Sequence, residues 1–191
     1  IYGPPGTQEF IYHIKKSFDE DIKIRTVPPE NHNASGLKTE VTEITEGLIF
    51  EKGSLKVFAF KVNHGGGVKH AYGFKIKADG QTIVISGDTN FSENLVKHAT
   101  DSDLLIHEIA SAPQSVIEKN PKVKGLMNYH TTPKEMIKIL NLTKPRLTIL
   151  THILVLGGME VETVLKTIHS STGNKFKIEV GSATDKSRIQ K

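Results

Sequence analysis

The sequence predicts an α/β fold, a sheet covered by helices, and the expectation rests on two features of its pattern. Residues 41–86 read as short alternating strands joined by turn signals, whereas residues 91–180 alternate helical and strand-like stretches. Neither an internal repeat nor a linker interrupts this order. Residues 1–181 are therefore expected to form one domain or part of one, with 182–191 as a loose tail.

Taken in order, Phe10, Ile11, Ile14 and Phe18 recur at near-helical spacing after the Gly3-Pro4-Pro5-Gly6 turn and predict a helix over 8–18. Extended pieces are expected at 22–27, 41–44, 48–51 and 55–62. Strands 71–78 and 82–86 flank Asp79-Gly80, a dipeptide whose tolerance of positive φ suits a tight hairpin. A helix over 91–99, a strand over 104–106 and a loop rich in Pro, Lys and Asn come next. A helix then starts near Thr132, with Thr132 as N-cap, Pro133 in the first turn and Glu135 three residues past the cap. It is expected to run to about Leu140. A strand over 147–150, a helix over 160–169 and a strand over 175–180 complete the ordered part.

Composition excludes several classes. The 37% apolar and 24% charged content argues against a disordered chain. Nothing approaches the roughly 18 consecutive apolar residues of a membrane span, and Ile1-Tyr2-Gly3-Pro4-Pro5 lacks the basic start and apolar run of a signal peptide. The chain opens on Ile1 rather than Met, which suggests further sequence upstream. Without cysteine, any metal has to be held by His, Asp or Glu. The net charge of +4 is scattered, and with 6% aromatic residues and no Trp the chain lacks the basic and aromatic surface usual in nucleic-acid binders. Nucleic acid is thus not the expected partner.

Three polar residues follow strands: His64 after 58–62, Asp88 after 83–87, and His152 after 147–151. Strand ends converge on a rim of a sheet, and two imidazoles and a carboxylate meeting there suit Zn²⁺ or a similar ion. A single His or Asp at a strand end more often caps a turn or faces water, so the argument rests on the set.

The runs His64-Gly65-Gly66-Gly67-Val68-Lys69-His70-Ala71-Tyr72-Gly73-Phe74, Ile85-Ser86-Gly87-Asp88-Thr89, Leu104-Leu105-Ile106-His107-Glu108, His130-Thr131-Thr132-Pro133-Lys134-Glu135 and Leu150-Thr151-His152-Ile153 come in a telling order. Together with Tyr2-Gly3-Pro4-Pro5-Gly6, their order and spacing resemble the metallo-β-lactamase superfamily, in the branch that includes ribonuclease Z and arylsulfatase-type hydrolases. The resemblance implies an αββα sandwich of which this chain supplies the C-terminal half. It implies that His64 binds one metal, Asp88 bridges two, His152 binds the second, and His130 acts on the scissile group. The metals implied are two Zn ions, with Mn or Fe as alternatives.

Thr89 is expected to orient the Asp88 carboxylate, and His107 and Glu108 to support a metal ligand through hydrogen bonds. The family's upstream H-x-H-x-D-H string does not occur in this sequence. The chain alone is therefore expected to bind metal weakly and to turn over slowly or not at all. The activity implied is hydrolysis of a phosphodiester or sulfate ester by a metal-activated water, on a small anionic ester, with no membrane partner and with a homodimer compatible. The alternatives are a non-catalytic anion- or metal-binding fragment and a ribonuclease Z-like RNA endonuclease. Transfer RNA processing is disfavoured because only 77–85 stands where long-armed relatives carry their insertion.

Overall fold

The computed structural model describes residues 1–181, and the expected tail at 182–191 lies outside the described residues. The chain divides into two compact units, Ile1–Thr45 and Glu46 onward. In the first, β1 (Tyr2–Gly3) pairs in parallel with β2 (Thr42–Glu43), and two helices, α1 (Thr7–Ser17) and α2 (Asp19–Arg25), lie between them in sequence. The expectation of a strand at 22–27 fails here. Its β-branched Ile22 and Ile24 suggested extended backbone, but charge placement favours the helix. Asp19, Glu20 and Asp21 fill the first turn and Lys23 and Arg25 the last, with Lys23 bonded to Glu20 and Arg25 to Asp21.

The second unit is built on a seven-stranded sheet, in the order β3 (Gly47–Lys52), β4 (Leu55–Lys61), β5 (Tyr72–Ala78), β6 (Gln81–Ile85), β7 (Leu104–Ser111), β8 (Leu147–Val155), β9 (Ile178–Val180). Pairing is antiparallel from β3 to β6 and parallel from β6 to β9. Connection length explains the change. Two residues between β5 and β6 allow only a hairpin, whereas the later connections carry helices and so bring the chain back in parallel. These crossovers are α3 (Glu93–Ala99); then α4 (Gln114–Lys119), α5 (Pro121–Met127) and α6 (Pro133–Thr143); and finally α7 (Val161–Thr172). The mixed α/β architecture read from the sequence is therefore the one present.

Residues 113–128, expected as a loop, hold two short helices instead. Asn120 ends α4 and caps α5, its side chain accepting from the Lys122 and Val123 amides, and Pro121 takes the first position of α5. The Asn-Pro pair within the expected loop is here a helix start. The cap of α6 is as expected: Thr132 and Glu135 form a reciprocal capping box.

Two buried clusters fix the helices on the sheet. Phe60, Val84, Leu95, Ala99, Leu105 and Ile139 join α3 and α6 to β4, β6 and β7. Ile109, Met136, Leu140, Leu150, Val164 and Ile168 join α6 and α7 to β7 and β8. Each fully buried aliphatic side chain contributes about 1.5–3 kcal/mol of transfer free energy. The helix α6 contributes to both clusters, so its N-terminus, immediately after His130, is held on two sides.

Candidate active site

Strand direction decides where the polar residues meet. Both β4 and β6 are antiparallel to β5 and hence parallel to each other, and β7 and β8 run parallel to β6. The C-terminal ends of β4 and β6 thus open on one rim, the side on which ligands collect in open α/β sheets. His64 and Asp88 follow those ends. The Nε2 atoms of His64 and His152 lie 4.0 Å and 3.6 Å from Oδ2 of Asp88.

Each of the three is oriented by backbone geometry. Gly87 adopts φ 62°, and a Cβ there would run into the carbonyl oxygen of Tyr72, so only glycine lets the chain turn next to Asp88. The Gly65 and Gly66 backbone, at φ 65° and 52°, lies against the Tyr129 ring, where any Cβ would collide with it. That close approach lets His64 Nδ1 meet the Tyr129 carbonyl at 3.0 Å. A carbonyl only accepts, so Nδ1 carries the hydrogen and the Nε2 lone pair is left facing Asp88.

His152 departs from the strand-end expectation. The strand β8 continues through it to Val155, Thr151 pairs with Glu108, Ile153 pairs with Ile109, and His152 is the extra residue of a bulge at φ 42°. A bulge re-aims a side chain that regular alternation would place elsewhere.

The donor set fits divalent metal. No hydrogen bond joins Asp88 to either imidazole, and His64 presents a free lone pair, as a metal-ligating histidine with its other nitrogen anchored must. Among the described residues no three such side chains close around a single point. Both histidines instead lie near the same oxygen of the one carboxylate, which leaves a metal held there short of ligands from this chain.

His130 lies between the two histidines, with ring centroids 5.1 Å from His64 and 5.6 Å from His152. It is buried, and its Nδ1 is 3.2 Å from Oε1 of Glu108. That oxygen also accepts from the backbone amides of Thr89 (3.1 Å) and Thr131 (2.9 Å). Burial pushes the Glu108 carboxyl up to about 8 against the pull of those two amides, and burial also lowers the His130 imidazole, with His64 adding to the effect. Both shifts favour the uncharged form, a neutral carboxyl facing a neutral imidazole. With Nδ1 turned to Glu108, the other nitrogen of His130 is free for a reacting group.

The remaining expected residues are Glu108, His107 and Thr89. Glu108 meets His130. His107 is buried, bonds the Glu108 carbonyl through Nδ1 at 2.7 Å, and leaves Nε2 without a partner. Strand alternation explains the split, because neighbouring residues point to opposite faces. Burial holds His107 down at about 4, so it is neutral. Thr89 is buried and clasps two loops: its hydroxyl accepts from the Asn63 amide at 3.1 Å and bonds the Asn90 carbonyl at 2.8 Å. The sequence reading missed Thr131, whose buried hydroxyl donates to the Thr89 carbonyl at 2.6 Å. Its place directly after His130 was the available signal.

A family model described as "Beta-lactamase superfamily domain" matches residues 6–153. Ribonuclease Z of Mycobacterium bovis (strain BCG) is 27% identical over 190 residues, 95% of this chain and 64% of that relative. Ribonuclease Z of Mycobacterium marinum is 28% identical over 137 residues, 71% of this chain and 48% of the relative. The chain thus spans about 64% of the length of the first of these. Among solved structures, the metallo-beta-lactamase fold protein YhfI of Bacillus subtilis superposes with TM-score 0.59 at 15% identity, over 85% of this chain and 58% of that one. Human tRNase Z, short form, gives 0.53 at 22%, over 84% and 63%. These likenesses establish the fold. The expectation that nucleic acid is not a partner does not fit relatives named ribonuclease Z. Among the described residues, no helix is long and apolar enough to cross a membrane.

Proposed function

The chain belongs to the β-lactamase superfamily domain family, and from that premise we propose that it supplies the downstream half of a metal-dependent ribonuclease Z-like phosphodiesterase. The observation that carries this reading is the placing of His130, backed by Glu108, between two histidines that face one carboxylate. Relatives named ribonuclease Z favour an RNA phosphodiester over a sulfate ester.

His64, Asp88 and His152 would hold two ions, Zn²⁺ being the best match to imidazole and carboxylate donors, with Asp88 shared and the remaining ligands coming from outside this chain. Such a pair supplies a nucleophilic water of lowered pKa and positive charge against the phosphoryl oxygens. The Tyr129 carbonyl holds His64 in the tautomer that can bind metal. His130 donates a proton to the departing oxygen, and Glu108 replenishes the imidazole through Nδ1. The closed backbone contacts of Glu108 keep that relay dry and oriented.

The test uses the full-length natural protein. Loaded with zinc, it should cleave an RNA strand and bis(p-nitrophenyl) phosphate, lose both activities to a chelator, and regain them on metal addition. A full-length protein that holds two ions per chain and hydrolyses neither would refute the reading.

A further inference from the structure

The surface beside His130 carries a concentration of charge that the reaction does not use. Residues 118–138 hold Lys119, Lys122, Lys124, Lys134 and Lys138 against only Glu118 and Glu135. Neither carboxylate neutralises an ammonium: Glu118 accepts from Gln114 at 2.8 Å, and Glu135 is engaged by Thr132 in the helix cap. Among the described residues none of the five lysines makes an ion pair.

Two of them line a groove of about 580 Å³ together with Asn90, Met127, Asn128, Thr132 and Glu135, whose carboxylate is bonded to Thr132. The groove adjoins the site directly. Asn90 follows Asp88-Thr89 in sequence, Asn128 lies two residues before His130, and the Asn90 amide donates to the Asn128 carbonyl at 2.9 Å. Lys134 and Lys138 stand one turn apart on α6, about 6 Å along its axis. The Lys138 ammonium is held 3.6 Å from the Phe91 ring centroid, a cation–π contact that fixes its position before any ligand arrives. An anion bound there costs less side-chain ordering than one bound by a free lysine.

We propose that this groove is a second phosphate site, in which Lys134 and Lys138 contact backbone phosphates of an RNA strand next to the bond being cleaved. The inference rests on the ribonuclease reading and adds the means of holding the strand. The segment from α4 to α6 runs through His130 itself, so these lysines flank a strand that enters the site.

The experiment measures binding of a fluorescein-labelled single-stranded RNA oligonucleotide to the full-length, zinc-loaded protein across a salt series, with bis(p-nitrophenyl) phosphate turnover in parallel. Two phosphate contacts account for about 1.4 of the slope of log affinity against log salt, at roughly 0.7 per contact for single strands. Lys134→Gln/Lys138→Gln should flatten the slope by that amount and weaken binding at low salt by roughly tenfold or more. Its loss on RNA should exceed its loss on the small diester, which offers no flanking phosphate. Lys166→Gln/Lys175→Gln removes the same charge from exposed positions off the groove and should leave the slope within about 0.3 of wild type. Equal slopes in the two double variants, or a parent that binds no RNA, would overturn the inference. RNA cleavage with an unchanged slope in Lys134→Gln/Lys138→Gln would sink the groove alone and leave the ribonuclease reading standing. A parent active on the small diester that neither binds nor cleaves RNA would sink both the groove and the RNA substrate.

Discussion

The bulge at His152 makes a stability prediction that is independent of any assay of activity. A non-glycine residue at φ 42° carries left-handed backbone strain, and the His152 side chain is 48% exposed, so little packing offsets it. Replacing it by glycine and, separately, by alanine removes the imidazole in both cases and leaves the backbone as the difference. The left-handed conformation costs an L-residue about 1–2 kcal/mol, and glycine's greater freedom in the unfolded chain gives back roughly 0.5–1 kcal/mol of that. His152→Gly should therefore be more stable than His152→Ala by about 0.5–1 kcal/mol. Urea unfolding of the metal-free protein resolves this: with m of about 2 kcal/mol/M, the midpoints should differ by roughly 0.25–0.5 M. Both variants should lose metal affinity. If alanine is as stable as glycine, the bulge is relaxed and the bent backbone is not what aims His152.

His130→Ala should keep both metals by elemental analysis yet lose roughly 10²–10⁴-fold in turnover, with a smaller loss on nitrophenyl esters, whose leaving group departs without a proton; loss of metal would make His130 a ligand. Asp88→Ala should drop at least one ion per chain, because a shared carboxylate serves two positions, and unchanged stoichiometry would remove Asp88 from the bridging role. Glu108 holds its proton up to about 8 in the folded protein, whereas an ordinary carboxyl has lost it above about 4.5. The metal-free wild type should then lose stability as pH rises from the ordinary carboxyl range through 8, and Glu108→Gln should flatten that dependence in denaturant titrations. A variant with the wild-type slope would place the linked proton elsewhere. Thr131→Val keeps the shape of the side chain but strands the buried Thr89 carbonyl, so it should cost about 1–3 kcal/mol; a cost below 0.5 would mean the loops are clasped by other bonds.

Much of this was legible in the sequence because it depended on local rules. Asp79-Gly80 announced the β5 to β6 hairpin, and Thr132-Pro133 with Glu135 announced the start of α6. The common rim of His64 and Asp88 was legible because a strand's direction and end can be read from its pattern. What resisted were features set by partners. The strand β8 was cut short at Leu150 because nothing local reveals that Ile153 to Val155 pair with β7, and so the bulge at His152 was read as a strand end. The contact of Glu108 with His130 was not legible for a similar reason. Alternation separates it from His107, but only the packing of α6 shows that its partner is His130.

That packing also explains why the metal positions and the proton donor should act as one unit. The four residues from Asn128 to Thr131 each bond a different part of the rim. The Asn128 carbonyl accepts from Asn90, the Tyr129 carbonyl from His64, the His130 ring meets Glu108, and the Thr131 hydroxyl donates to Thr89 while its amide donates to Glu108. The Thr131 carbonyl in turn accepts from the Ala110 amide of β7, which ties the segment to the sheet. Directly after it, α6 is anchored in both buried clusters. A displacement of His130 therefore cannot occur alone: it pulls on the carbonyl that sets the His64 tautomer and on the amide that holds Glu108. Preorganisation of this kind holds His130 in place, and in the proposed reaction it would spare the rearrangement that costs rate. It also requires Tyr129 to act through its backbone and ring, since the carbonyl fixes His64 while the ring supports Gly65 and Gly66. A tyrosine thus serves the site at that position without binding metal.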